Sequence, residues 1–151
     1  MKFKEFVNPK LRKLAKANKS TDFRTEIADN EWVGDSHIMA GVQLLKQTFP
    51  RLKGLQDTLC SKFKPISGES IQIHNTGNNH WVLSHGLNGK VYIYDSLFNK
   101  PKNDLILQLC QCYENFITEN QINIKYEEVF LQKGSSDCVF FALAYAHDIA
   151  S

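Results

Sequence analysis

A chain of 151 residues is long enough for one domain and too short for two ordinary ones, and its 42% hydrophobic and 23% charged residues are the proportions of a soluble globular protein. No stretch nears the roughly 18 uninterrupted apolar residues of a membrane helix, and the start, Met1-Lys-Phe-Lys-Glu5, lacks the apolar core of a secretory signal. The expected compartment is therefore intracellular, cytoplasmic or nuclear, with thiols reduced. The net charge of +2 divides unevenly: residues 1–20 hold seven of the 18 basic residues and one of the 16 acidic ones, leaving +6 there and −4 on the remainder.

Residues 1–20 read as a basic helix, or two short ones broken at Pro9, with a solvated face. The mildly acidic remainder is unlike a nucleic-acid surface and suits a basic partner protein. We expect a monomer with neither membrane nor nucleic acid as partner. Residues 21–34 read as irregular. Asp35 then stands as an N-cap before an apolar stripe of Ile38, Val42 and Leu45, which runs to about Phe49, where Pro50 stops it. Ile71 and Ile73 alternate as a strand, and the turn Thr76-Gly-Asn-Asn79 leads to a second strand, His80-Trp-Val-Leu-Ser84. Asn88-Gly89 is a strong hairpin signal, so Lys90–Asp95 is the expected antiparallel partner. Residues 102–118 read as an amphipathic helix with Leu105, Leu109, Cys112 and Phe116 on one face, and 122–129 as a strand. From Cys138 to Ile149 the chain is apolar nearly all round, the mark of a buried helix. The order predicts an α+β fold whose mostly antiparallel sheet is flanked by helices.

Four cysteines, Cys60, Cys110, Cys112 and Cys138, have no zinc-ligand spacing, so neither a metal nor a cofactor is expected. Cys138 differs from the others in context. Gly134-Ser-Ser-Asp137 is turn and capping chemistry, which puts Cys138 in the first turn of its helix, where the partial positive charge of the helix terminus favours a thiolate. Without that context, an ordinary buried cysteine is the better reading. His80 opens a strand just after a turn, facing a cleft. Asp95 closes the next strand, in register with Val91 and Ile93, where it can fix the imidazole tautomer and stabilise the imidazolium. Gln132, six residues before Cys138, can offer its amide to an oxyanion.

The stretches Asn79-His80-Trp81-Val82, Tyr94-Asp95-Ser96-Leu97 and Gln132-Lys-Gly-Ser-Ser-Asp137-Cys138 strongly resemble the adenain-like cysteine peptidases, and most of all the ubiquitin-like-protein-specific (SUMO-type) proteases. The order His, Asp, Gln, Cys is that family's, as is the tryptophan after the histidine. Glu31-Trp32-Val33-Gly34-Asp35-Ser36-His37-Ile38 resembles the family's Trp-Leu-Asn-Asp entry to a helix. The resemblance covers residues 31–147. It implies a basic extension over 1–30, a catalytic domain over 31–151 that is C-terminally short, and a papain-like core with the nucleophile heading a buried helix. It also implies a catalytic set of His80, Asp95, Gln132 and Cys138. The implied substrate is the Gly-Gly tail of ubiquitin or a ubiquitin-like modifier of the SUMO or NEDD8 type, held between Trp32 and Trp81 with help from Asp35. Only glycine lets a backbone thread between two indole faces. One departure is Val139, where the family has glycine directly after the nucleophile; it adds a branched side chain beside the thiol. Two other readings follow: a viral or mobile-element maturation protease of the same fold, and a catalytically weakened pseudoenzyme that binds a modifier without cleaving it.

Overall fold

The structure, a computed structural model, describes residues 35–76, 80–96, 103–129 and 138–151, the side chains of residues 35–37, 139 and 140 excepted. The readings of the basic extension, the turn at 77–79 and the cap at 134–137 lie outside the described residues. The elements in order are α1 (Asp35–Thr48), β1 (Ser70–Asn75), β2 (Trp81–Leu87), β3 (Lys90–Tyr94), α2 (Asn103–Cys112), β4 (Asn123–Tyr126) and α3 (Cys138–Ala150). The sheet runs β1-β2-β3-β4 in that spatial order. β1 and β3 both pair antiparallel with β2, and β4 pairs parallel with β3. A parallel neighbour needs a crossover, and α2 supplies it.

Asn88 and Gly89 form the two-residue loop that their sequence predicts. Both have positive φ, 52° and 78°, the geometry in which a short turn matches the twist of its flanking strands. Helix α1 ends where Pro50 approaches, and its last carbonyls are not left bare: Thr48 Oγ1 donates to Leu44 O at 2.8 Å and Phe49 N to Leu45 O at 2.8 Å. The predicted helix over 102–118 is shorter in the structure. It stops at Cys112, and a 3₁₀ turn at Glu114–Phe116 carries the apolar stripe onward. The residue between them is Tyr113, fully buried, whose hydroxyl reaches Ser84 Oγ at 2.7 Å.

Ile71 and Ile73 of β1 and Trp81 and Leu83 of β2 pack under α1 and α3, together with Ile38, Val42, Leu45, Ala142 and Leu143. Val82, Val91 and Ile93 face the other way and pack with Leu105, Leu109, Cys112 and Tyr113. Both faces are thus covered, so β2 is buried along almost its whole length. The second layer has a polar half. Ser70, Gln72, His74 and Ser84 are all fully buried on the α2 side, and groups buried in this way must be hydrogen-bonded. They are: Gln72 bonds the backbone of Gln56 in both directions, and His74 bonds Ser84 Oγ at 2.7 Å and Gln108 Oε1 at 3.0 Å.

Candidate active site

β2 and β3 register with Leu83 opposite Tyr94. Continuing that register by one residue puts Val82 opposite Asp95, so His80, two residues further along, is the diagonal neighbour of Asp95 on the same side, within reach of a long side chain. The structure shows the contact: His80 Nε2 lies 2.8 Å from Asp95 Oδ1, with both side chains buried. Helix α3 packs chiefly on β2, which delivers its first residue, Cys138, to the same place. Cys138 is 1% exposed and is a hydrogen-bond partner of His80. With Nε2 engaged by the carboxylate, the remaining ring nitrogen, Nδ1, is the one that serves the thiol.

Burial alone would depress the His80 imidazole. The hydrogen bonds to Asp95 and Cys138, and the charges of both, outweigh it and push the ring up from 6.5 to about 9. A neutral-pH imidazolium beside a thiol sulfur is the arrangement that activates a cysteine nucleophile and then supplies the proton its leaving group needs. The surroundings of Asp95 are aromatic. Tyr126 and Tyr145 lie close enough to feel its charge, and burial first, with nearby carboxylates including Asp95 adding to it, pushes both phenols up.

The other predicted site residues divide into two groups. Trp32 and Gln132 lie outside the described residues; Asp35 is the first residue of α1, with its side chain outside them too. Trp81 opens β2 on the face opposite His80 and is only 2% exposed, a member of the core under α1 and α3; its indole Nε1 is buried and has no partner among the described residues. The polar layer of His74, Ser84, Gln108 and Tyr113 was not read from the sequence. Ser70-Ile-Gln-Ile-His74 alternates as an exposed strand does, and nothing in that pattern reveals that its polar side lies under a helix.

No family model and no curated protein matches the chain in sequence. Solved structures do match in three dimensions. The SUMO protease Ulp1 with its catalytic cysteine oxidised to a sulfenic acid superposes with a TM-score of 0.64 over 97% of this chain and 83% of its own, at 14% identity. The C-terminal Ulp1 protease domain in complex with Smt3, the yeast ortholog of SUMO, gives 0.60 over 85% and 70%, at 14% identity. The sulfinic-acid form of Ulp1 gives 0.60 over 84% and 71%, at 16% identity. With its mixed four-stranded sheet, its flanking helices and Cys138 at the head of the buried one, this chain has the α+β fold of a SUMO-protease-like cysteine protease.

Proposed function

We propose that the protein is a cysteine peptidase that cleaves after the C-terminal Gly-Gly of a ubiquitin-like modifier, with Cys138 as nucleophile, His80 as acid and base, and Asp95 as the group that orients His80. The observation that carries this reading is the doubly engaged imidazole, bonded to Asp95 on one side and to Cys138 on the other. The Cys138 thiolate attacks the carbonyl carbon of the last glycine. A carbon–sulfur bond forms, the carbon–nitrogen bond breaks, and the His80 imidazolium gives its proton to the leaving amine. Water, deprotonated by the now neutral His80, attacks the thioester carbon, the carbon–sulfur bond breaks, and the thiolate and imidazolium are restored. Gln132 donates to the oxyanion, and Trp32 and Asp35 hold the diglycine tail, while Trp81, buried in the core, supports the strand that follows His80. A SUMO-type modifier is the first candidate, since Ulp1, with the same fold, forms a complex with Smt3; ubiquitin and NEDD8-type modifiers are the others.

The test is to incubate the protein with SUMO-, NEDD8- and ubiquitin-type probes bearing C-terminal electrophiles. Attachment of a SUMO-type probe to Cys138, absent in Cys138→Ser, is the expected result. If no probe attaches to the unmodified protein, the peptidase reading is wrong.

A further inference from the structure

β1 is an edge strand, and its residues alternate in where their backbone groups point. Thr76 N donates to His80 O at 2.9 Å, so residues 70, 72, 74 and 76 turn their backbone groups to β2, and 71, 73 and 75 turn theirs outward. Each outward carbonyl is occupied. Ile71 O accepts from Leu55 N at 2.8 Å, Ile73 O from Gln72 Nε2 at 2.9 Å, and Asn75 O from Gln108 Nε2 at 2.8 Å. The first comes from Leu55, in the segment before β1, and the second from the strand itself. The third comes from α2 and lands on the residue before Thr76, which is bonded to His80.

Gln108 is itself held. Its Oε1 accepts from His74 Nδ1 at 3.0 Å, which fixes the amide so that its N–H must face Asn75. Thr76, the next residue, holds His80 directly, with both its backbone N–H and its Oγ1 donating to His80 O, at 2.9 and 3.3 Å. An unbroken path of hydrogen bonds and one peptide unit therefore runs from α2 to the backbone of His80. Edge protection alone requires a donor for Asn75 O. It does not require one clamped by a buried histidine, nor a second clamp directly after it.

We propose that Gln108 and Thr76 are positioning residues for His80, fixing its backbone against the sheet so that the ring meets Asp95 and Cys138 together. This rests on the reading of His80 as the catalytic base. Neither residue touches the reacting atoms; both act through backbone. A displacement of about 1 Å at a reacting group is enough to lower turnover by up to roughly 10²-fold.

Three variants test it: Gln108→Met, which keeps the volume and removes both amide bonds, Thr76→Val, which removes only the Oγ1 bond, and Tyr113→Phe, which cuts the same buried polar layer at its far end, at Ser84. The measurements are the titration of the His80 ring by NMR, kcat and KM with a modifier substrate, and the melting temperature. In Gln108→Met the His80 midpoint should fall from about 9 toward 6.5, with kcat down about tenfold or more and KM unchanged. Thr76→Val should move both in the same direction by less, and it decides the matter alone if Gln108→Met does not fold. Tyr113→Phe should lower the melting temperature and leave the His80 midpoint in place. Unchanged midpoints in Gln108→Met and Thr76→Val overturn the proposal, as does an equal shift in Tyr113→Phe. If the unmodified His80 titrates near 6.5 and no modifier probe attaches to Cys138, the catalytic reading itself fails and this inference with it.

Discussion

His74 and His80, six residues apart in the chain, are driven in opposite directions by what faces each ring. Burial holds His74 down, from 6.5 to about 4, against the smaller pull of Gln108. The unfolded chain therefore takes up a proton between pH 6.5 and 4 that the native state refuses, and stability falls on acidification through that window. The shift corresponds to about 3 kcal/mol at a rate of about 1.4 kcal/mol per unit. His80 is the reverse case: held up to about 9, it contributes stability that is complete below 6.5 and is lost as the pH rises to about 9. Denaturant unfolding followed across pH should thus show a maximum near 6.5, and His74→Gln should flatten the acid limb alone. An acid limb that survives in the variant removes His74 as its source. The reactive groups make a second prediction. Cys138→Ser should abolish turnover while modifier binding persists, His80→Ala should cost nearly as much because members of a triad act as a unit, and Asp95→Asn should be the mildest of the three. Steady-state kinetics and a binding titration check this, and turnover by Cys138→Ser would end the mechanism.

At the level of elements, two glycines of the β2–β3 hairpin separate packing from backbone geometry. A Cβ on Gly86, inside β2, would lie 2.5 Å from Tyr113 Cε1 and 3.0 Å from Phe116 Cε2. Those are ring atoms of buried or half-buried side chains with little room to give. Gly86→Ala should therefore cost about 1–3 kcal/mol through overpacking. Gly89→Ala meets nothing within 4 Å, and only its φ of 78° resists the change, at about 1 kcal/mol. Melting curves of the two variants should rank in that order; the reverse order would mean that Tyr113 is free to move. The same contact explains what was hard to read in the chain. The hairpin was legible because Asn88-Gly89 suits one geometry and few others. The end of α2 was not, since the apolar spacing of Leu105, Leu109, Cys112 and Phe116 continues unbroken while the helix yields at Tyr113 to long-range packing on β2. Among the site residues, His80, Asp95 and Cys138 were legible as candidates through three short motifs whose combination and order resemble one family, since each residue taken singly is ambiguous. Gln108 was not, because a glutamine on a helix carries no mark of the strand it serves.

For the molecule as a whole, Trp81 ties the site to the core. Its removal has a structural cost, about 3–5 kcal/mol for Trp81→Ala, because it is buried among Ile38, Ile73 and Leu143. Diglycine selectivity is therefore best measured on the unmodified protein. A modifier ending Gly-Gly should be processed and the same modifier with alanine at the penultimate position should be nearly inert; equal cleavage of both would refute a tunnel that admits only glycine. The position of β2 has a wider consequence. With a strand on each side and helices over both faces, its amides have no local route to solvent, and they should exchange with deuterium only when the whole domain opens. His80 directly precedes that strand, and the helix headed by Cys138 rests on it. The chemistry therefore has no private way to fail: heat that silences the protein should be the heat that unfolds it, and the two losses should fall on a single curve.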